Sequence, residues 1–191
     1  NAFLGCTSLS CIEIPETVTV IGDGAFINCT AFTELTLPSS IKEIAGRLVS
    51  GCSSLSVIKC NAELTSIGKE AFSGCTSLKR ISFGDDDSTE DRKIVLPKSI
   101  TTIKKGVFND CTQLLEIDAQ HQSKIEENAF KGCTSLTTVL VSPELQEISN
   151  GTFSGCRNLD FVIPETVKTI GTEAFKDCEK FKSLDIPTSV T

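Results

Sequence analysis

Apolar residues recur along this chain in columns that stay in step over its whole length. Cysteines stand at Cys6, Cys29, Cys52, Cys75, Cys111, Cys133, Cys156 and Cys178, at spacings of 23, 23, 23, 36, 22, 23 and 22 residues. Three residues before each lies Phe3, Phe26, Val49, Phe72, Phe108, Phe130, Phe153 or Phe175. Three residues after each lies Leu9, Phe32, Leu55, Leu78, Leu114, Leu136, Leu159 or Phe181. A further apolar position follows six residues after the first six cysteines, at Ile12, Leu35, Ile58, Ile81, Ile117 and Val139. Self-similarity at a period of 20–50 residues is the mark of a solenoid, whose units bury their apolar faces only by stacking.

Each unit reads in two halves. The first, as in Leu9, Ile12, Ile14 and Pro15, alternates at period two, which predicts a short strand with one face buried. Pro15, Pro38, Pro97, Pro164 and Pro187 end it, because proline has no N–H for a ladder. The second half, as in Val18, Ile21, Gly22, Ala25, Phe26 and Cys29, predicts a tight turn followed by one helical turn. Gly22, Gly68 and Gly171 are expected at that bend with positive φ. Strands of neighbouring units then pair in parallel at about 4.8 Å, giving eight units a length of roughly 35 Å. Parallel crossovers are right-handed, so the coil is expected to be right-handed too.

The unit Ile67-Gly68-Lys69-Glu70-Ala71-Phe72-Ser73-Gly74-Cys75, repeated as Ile170-Gly171-Thr172-Glu173-Ala174-Phe175-Lys176-Asp177-Cys178, resembles the leucine-rich repeats of BspA-like proteins. The likeness runs over essentially the whole chain. It implies a curved leucine-rich-repeat solenoid of about eight repeats, with a parallel sheet on the concave face and short helical turns on an irregular convex side. It also implies a surface protein of a host-associated bacterium or parasitic protist, several members of that family being adhesins.

The array is read as one domain, 1–191, cropped at both ends, because it starts and stops inside a repeat. Three repeats depart from the pattern. Leu48-Val49 replaces Ala-Phe and Cys60-Asn61 replaces the apolar residue and proline; the repeat holding Asp118–Lys124 lacks proline and is one residue short; the repeat after Cys156 is also short. The largest departure is an acidic insertion at 84–96, between the fourth and fifth repeats, with Lys93–Leu96 expected to return as strand.

A formal charge of −7 argues against a nucleic-acid surface, which needs a basic stripe. No apolar run approaches the 18 or so residues of a membrane span. Eight of the ten cysteines fall in one column beside a phenylalanine, which suits small buried hydrophobes better than a disulfide framework or a zinc site. Cys60 is expected to point inward, and Cys11 outward. His121, the only histidine, lies in the proline-less repeat with no nucleophile motif around it. No catalytic residue, metal site or cofactor is expected. Asn28-Cys29-Thr30 and Asn150-Gly151-Thr152 are acceptor sequons that matter only in a secreted eukaryotic chain.

The candidate partner-binding residues lie in two places. One is the insertion, with Asp85, Asp86, Asp87, Glu90, Asp91 and Arg92. The other is the outward face of the strands: Cys11 and Glu13, Glu34 and Thr36, Val57 and Lys59, Arg80 and Ser82, Glu116 and Asp118, Thr138 and Leu140, Ser183 and Asp185. Lys59, Lys79 and Arg80 form a small basic patch there. The expected function is non-enzymatic protein binding, with host or matrix protein as the partner that the resemblance implies. Two other readings stand beside it. An intracellular scaffold is compatible with a ladder of reduced thiols, and a module stacking end to end would use uncapped ends and unpaired strand edges.

Overall fold

A computed structural model describes residues 1–84 and 92–191. Twelve short strands among them fall into two files. The first file holds β1 (Glu34–Thr36), β3 (Val57–Cys60), β5 (Arg80–Phe83), β6 (Lys93–Val95), β8 (Glu116–Ala119) and β10 (Thr138–Val141). The second holds β2 (Glu43–Ile44), β4 (Ser66–Ile67), β7 (Thr102–Ile103), β9 (Lys124–Ile125), β11 (Glu147–Ile148) and β12 (Thr169–Ile170). All pairings are parallel, and the register advances by one repeat per rung: Glu34 lies opposite Val57, Val57 opposite Arg80, Lys93 opposite Glu116, and Glu116 opposite Thr138. A single bridge from Thr138 to Asp160 extends the first file by one more turn.

The solenoid therefore has six strand-bearing turns rather than the eight expected. Residues 9–15 and 181–187, in the outermost copies, form no strand. A copy at the end of the array has a neighbour on one side only, and its strand segment stays unpaired.

Alternation decides what is buried. In the first file Leu35, Ile58, Ile81, Ile94, Ile117 and Val139 point into the core, while Glu34, Thr36 and Lys59 are exposed. Ile44, Ile67, Ile103, Ile125 and Ile148 do the same from the second file. These two-residue strands are too short to show a period-two pattern, which is why the sequence reads as a plain turn at this point.

The third side of each turn is not helical, contrary to the expectation. It is a run of hydrogen-bonded turns: the Ala71 amide donates to the Gly68 carbonyl at 3.3 Å, and the Cys75 amide to Phe72 at 3.0 Å. Two left-handed residues bracket it in each repeat. The residue before the cysteine is one of them, as at Asn28 (φ 58°), Gly74 (φ 74°) and Asp110 (φ 58°). The residue five before the cysteine is the other, as at Arg47 (φ 52°), Glu70 (φ 56°) and Glu173 (φ 57°). A left-handed residue costs roughly 1–2 kcal/mol outside glycine and ends a right-handed run. The intervening amides instead serve the next turn. Phe26, Phe72, Phe108, Phe130 and Phe153 donate to Leu48, Val107, Ala129, Thr152 and Ala174 at 2.9–3.1 Å.

The phenylalanines stack along this column, with Phe108, Phe130 and Phe153 at successive centroid distances of 5.6 Å and interplanar angles of 2° and 3°. Val49 interrupts the stack. Its neighbour Leu48 occupies the place alanine holds in Ala25 and Ala71, and both Leu48 and Val49 are buried. The pair Leu-Val thus fills the volume that Ala-Phe fills elsewhere, the kind of swap a dense core tolerates.

Gly22, Gly68 and Gly171 do not have the positive φ expected of them. They stand where the second file brings turns together. A Cβ on Gly68 would lie 2.4 Å from the Gly46 nitrogen, and one on Gly171 would lie 2.5 Å from the Asn150 nitrogen. With no Cβ in the way, the Gly68 and Gly171 amides reach the Ile44 and Ile148 carbonyls at 2.7 Å. Where the same position carries Ala45, Lys104 or Ser149, no strand pairing joins that turn to the one before it. Glu126 is the exception, since β7 and β9 still pair below it.

A Cβ on Gly22 would meet nothing within 4 Å. Gly68→Ala is therefore expected to destabilise the chain by about 1–3 kcal/mol, the range for forced overpacking. Gly22→Ala should change it by no more than about 0.5 kcal/mol. Urea unfolding of the two variants checks this; equal effects would contradict the close-approach account.

Candidate recognition surface

The cysteine column is the densest set of reactive atoms in the chain, and the structure ties it up. From Cys29 onward, each thiol of the column donates to the phenylalanine-column carbonyl one turn back: Cys52 to Phe26 at 3.0 Å, Cys75 to Val49 at 3.2 Å, Cys133 to Phe108 at 3.0 Å and Cys156 to Phe130 at 3.1 Å. The same carbonyls already accept the amide of their own cysteine, as from Cys29 to Phe26 at 3.2 Å. A dry carbonyl with two lone pairs is thereby satisfied twice.

Burial pushes these thiols up, those of Cys52 and Cys60 to about 12 and that of the half-buried Cys178 to about 11. Cys75, Cys111, Cys133 and Cys156 are raised further, again chiefly by desolvation. All ten cysteines are free, and Cys6 and Cys11 are exposed. Cys60 points inward as expected, with 6 % exposure. Among the described residues, no group of His, Cys, Asp or Glu is placed to hold a metal ion. None of their helices is long and apolar enough to cross a membrane.

The outward face of the first file collects the strand candidates. Glu34 on β1 forms an ion pair with Lys59 on β3, the rung their register makes adjacent. Lys79 is exposed, Arg80 and Glu116 are half-buried, and the Nε of half-buried Arg92 donates to the Gln113 carbonyl at 2.9 Å. Lys59 and Arg80, and Lys93 and Glu116, thus lie at outward positions of the first file. Asp85, Asp86, Asp87, Glu90 and Asp91 lie outside the described residues. Ser82, expected outward, is buried at 4 %, where β5 packs beside β6.

That packing has a topological cause. Between Cys75 and Cys111 the chain contributes two strands, β5 and β6, to the first file, but one strand, β7, to the second. The convex column passes straight across, from the Phe72 amide to the Val107 carbonyl. The first file is consequently split into two three-stranded sheets, β1-β3-β5 and β6-β8-β10.

Polar grooves open on the second file where its ladder is interrupted. One of about 520 Å³ lies between β9 and β11, lined by Lys124, Glu144, Gln146, Glu147, Ser149 and Thr166 among others. Ser149 there replaces the glycine, and its hydroxyl, rather than an amide, bonds the Ile125 carbonyl at 2.8 Å. A second groove of about 430 Å³ runs beside Ala45. Neither was anticipated; the Gly-to-Ser and Gly-to-Ala replacements are the signal that could have revealed them.

Gln122 was missed as well. It is fully buried in the column of Ile41, Leu64 and Ile100 and donates to the Ile100 carbonyl at 2.7 Å and the Pro97 carbonyl at 3.2 Å. In other repeats a hydroxyl does this work, from Ser40 to Val18 and from Thr166 to Leu145. The short repeat lacks that residue, and Gln122 supplies the donor. His121 beside it is exposed. The Asn150 side-chain oxygen accepts the Thr172 amide at 2.8 Å, and the hydroxyl of buried Thr152 turns inward to Ser149 at 2.7 Å.

Comparison with known proteins agrees with this geometry. The profile of the BspA type Leucine rich repeat region matches residues 1–90 and 87–191, in six copies. Among solved structures, a Treponema pallidum leucine-rich repeat protein is 27% identical with a TM-score of 0.69, over 84% of this chain and 70% of its own. A leucine-rich cell surface protein of Faecalibacterium prausnitzii is 26% identical with a TM-score of 0.56, over 100% of this chain and 63% of its own. A leucine-rich repeat protein of Bacteroides ovatus is 29% identical with a TM-score of 0.58, over 94% of this chain and 55% of its own. The chain thus spans less than two thirds of the length of the last two. No curated protein matches it.

The raised thiols set a pH dependence. A thiol held neutral by folding contributes its full stability below the unfolded value of about 8.5 and loses it as pH rises toward the folded value. Between about pH 9 and 12, each buried thiol raised to about 12 or beyond should cost about 1.4 kcal/mol per pH unit. Chemical denaturation under reducing conditions should show a midpoint that is flat from pH 6 to 8 and falls steeply above 9. At pH 8 a thiol reagent should modify Cys6 and Cys11 quickly and the buried column only on unfolding. Rapid labelling of Cys111 or Cys133 in the native chain would contradict the sealed ladder.

Proposed function

Because this chain belongs to the BspA-type leucine-rich repeat family, we propose that it is a non-enzymatic protein-binding array of a cell-surface protein that engages a host or matrix protein. The observation that carries the reading is the outward face of the first file. It lays charged side chains of both signs, Glu34, Lys59, Arg80 and Glu116, across two parallel sheets, each in fixed register. Stacked repeats commonly use such an extended face for binding. Surface placement is supported by the likeness to the F. prausnitzii cell surface protein. Asp85, Asp86, Asp87, Glu90, Asp91 and Arg92 are a second candidate contact region, because insertions in repeat proteins often map to a binding face.

One observation favours a second reading. All ten cysteines are free, which also suits a cytosolic scaffold in a reducing compartment.

Protease shaving of intact source cells, read by mass spectrometry, separates the two. The expected result is release of peptides of this chain before lysis, with cytosolic controls absent. Peptides appearing only after lysis would remove the adhesin reading and direct the search to cytosolic partners.

A further inference from the structure

One row of the first file changes character along the array. Its outward positions run Thr36, Lys59 and Ser82 in one three-stranded sheet. They run Val95, Asp118 and Leu140 in the other. The bridge from Thr138 to Asp160 places Val162 next to Leu140 on the following rung. The three aliphatic residues point into solvent, with exposures of 53 % for Val95, 43 % for Leu140 and 84 % for Val162. The apolar core is complete without them. Acidic groups stand in and beside the row. Asp118 lies within it, and Glu116 and Asp160 occupy the neighbouring outward row.

We propose that this row is the docking track for an amphipathic, cationic helix of a partner protein, lying along the array and across the strands. The inference deepens the recognition reading above and depends on it. Rung spacing sets the pattern. With strands about 4.8 Å apart, Val162, Leu140, Asp118 and Val95 sit at about 0, 4.8, 9.6 and 14.4 Å along the track. A helix rising 1.5 Å per residue presents positions i, i+3, i+7 and i+10 at about 0, 4.5, 10.5 and 15 Å, on one face. The occupant therefore carries aliphatic residues at i, i+3 and i+10 and a lysine or arginine at i+7, above Asp118. An extended peptide running parallel to the strands would follow one rung and touch one member of the row. A further basic residue on the flank of the helix meets Glu116, while Asp160 is already paired with Lys180 at 3.5 Å.

Synthetic helices of about 18 residues, built on alanine, test this against the 191-residue chain by fluorescence anisotropy. One carries Leu at i, i+3 and i+10 with Lys at i+7; a second has Glu at i+7; a third is scrambled. The Lys helix should bind about tenfold or more tightly than the Glu helix, an advantage that shrinks with salt. The double variant Leu140→Asp/Val162→Asp should lose most of the binding, and Asp118→Lys should reverse the Lys-over-Glu preference. Leu140 and Val162 are exposed, so the thermal midpoint of the double variant should stay near the parent value. Equal binding of all three peptides, or binding indifferent to the double variant, overturns the proposal. A natural partner that still binds the double variant would overturn this track while leaving the recognition reading intact.

Discussion

The amide of each phenylalanine in the convex column has no acceptor in its own turn. It donates to a carbonyl one turn on, from Phe72 to Val107 and from Phe130 to Thr152. Buried amides without partners are costly, so no repeat of this chain can fold alone. The carbonyls of the phenylalanines themselves receive the thiols of the following turn, as from Cys52 to Phe26 and from Cys133 to Phe108. Short parallel strands, stacked rings and the cysteine ladder all follow from turns that must complete one another at a spacing of 22 or 23 residues, or of 36 across the insertion.

Two levels of the architecture differ in how openly the sequence declares them. Burial is declared: Phe72, Cys75, Leu78 and Ile81, one from each column, are all buried at 2 % or less. The period-two alternation places Glu34 and Lys59 outside with equal clarity. Inter-turn contact is concealed. Gly68 and Gly171 look like bend residues, yet their role is to let a neighbouring backbone approach. Glu70 and Glu173 give no hint of their left-handed backbone. Gln122 looks like a polar loop residue and is buried, because it replaces a hydroxyl that a shortened repeat has lost. Such features depend on what sits one turn away, and a window along the chain does not contain it.

For the candidate surface, the sequence identifies the sheet face and its charged members. It does not show that Ser82 is buried, or that the aliphatic residues Val95, Leu140 and Val162 line up. That alignment comes from register across three repeats of unequal length. The thiols are suggestive by number, but those of the column from Cys29 to Cys156 are sealed by desolvation and hydrogen bonding. The chemistry this array offers is therefore that of its outer faces, where grooves and charges are displayed on a stiff frame.

The turn between Cys75 and Cys111 holds one strand too many for its place in the stack. Among the described residues its two halves meet without ladder pairing on the first file, while the phenylalanine column runs across from Phe72 to Phe108. Mechanically this is a seam backed by a strap. Under tension along its axis, the array would yield on the sheet side at β5 and β6 and hold on the opposite side, bending before it unravels. A protein tethered at one end and gripped at the other would thus have a preset place to flex.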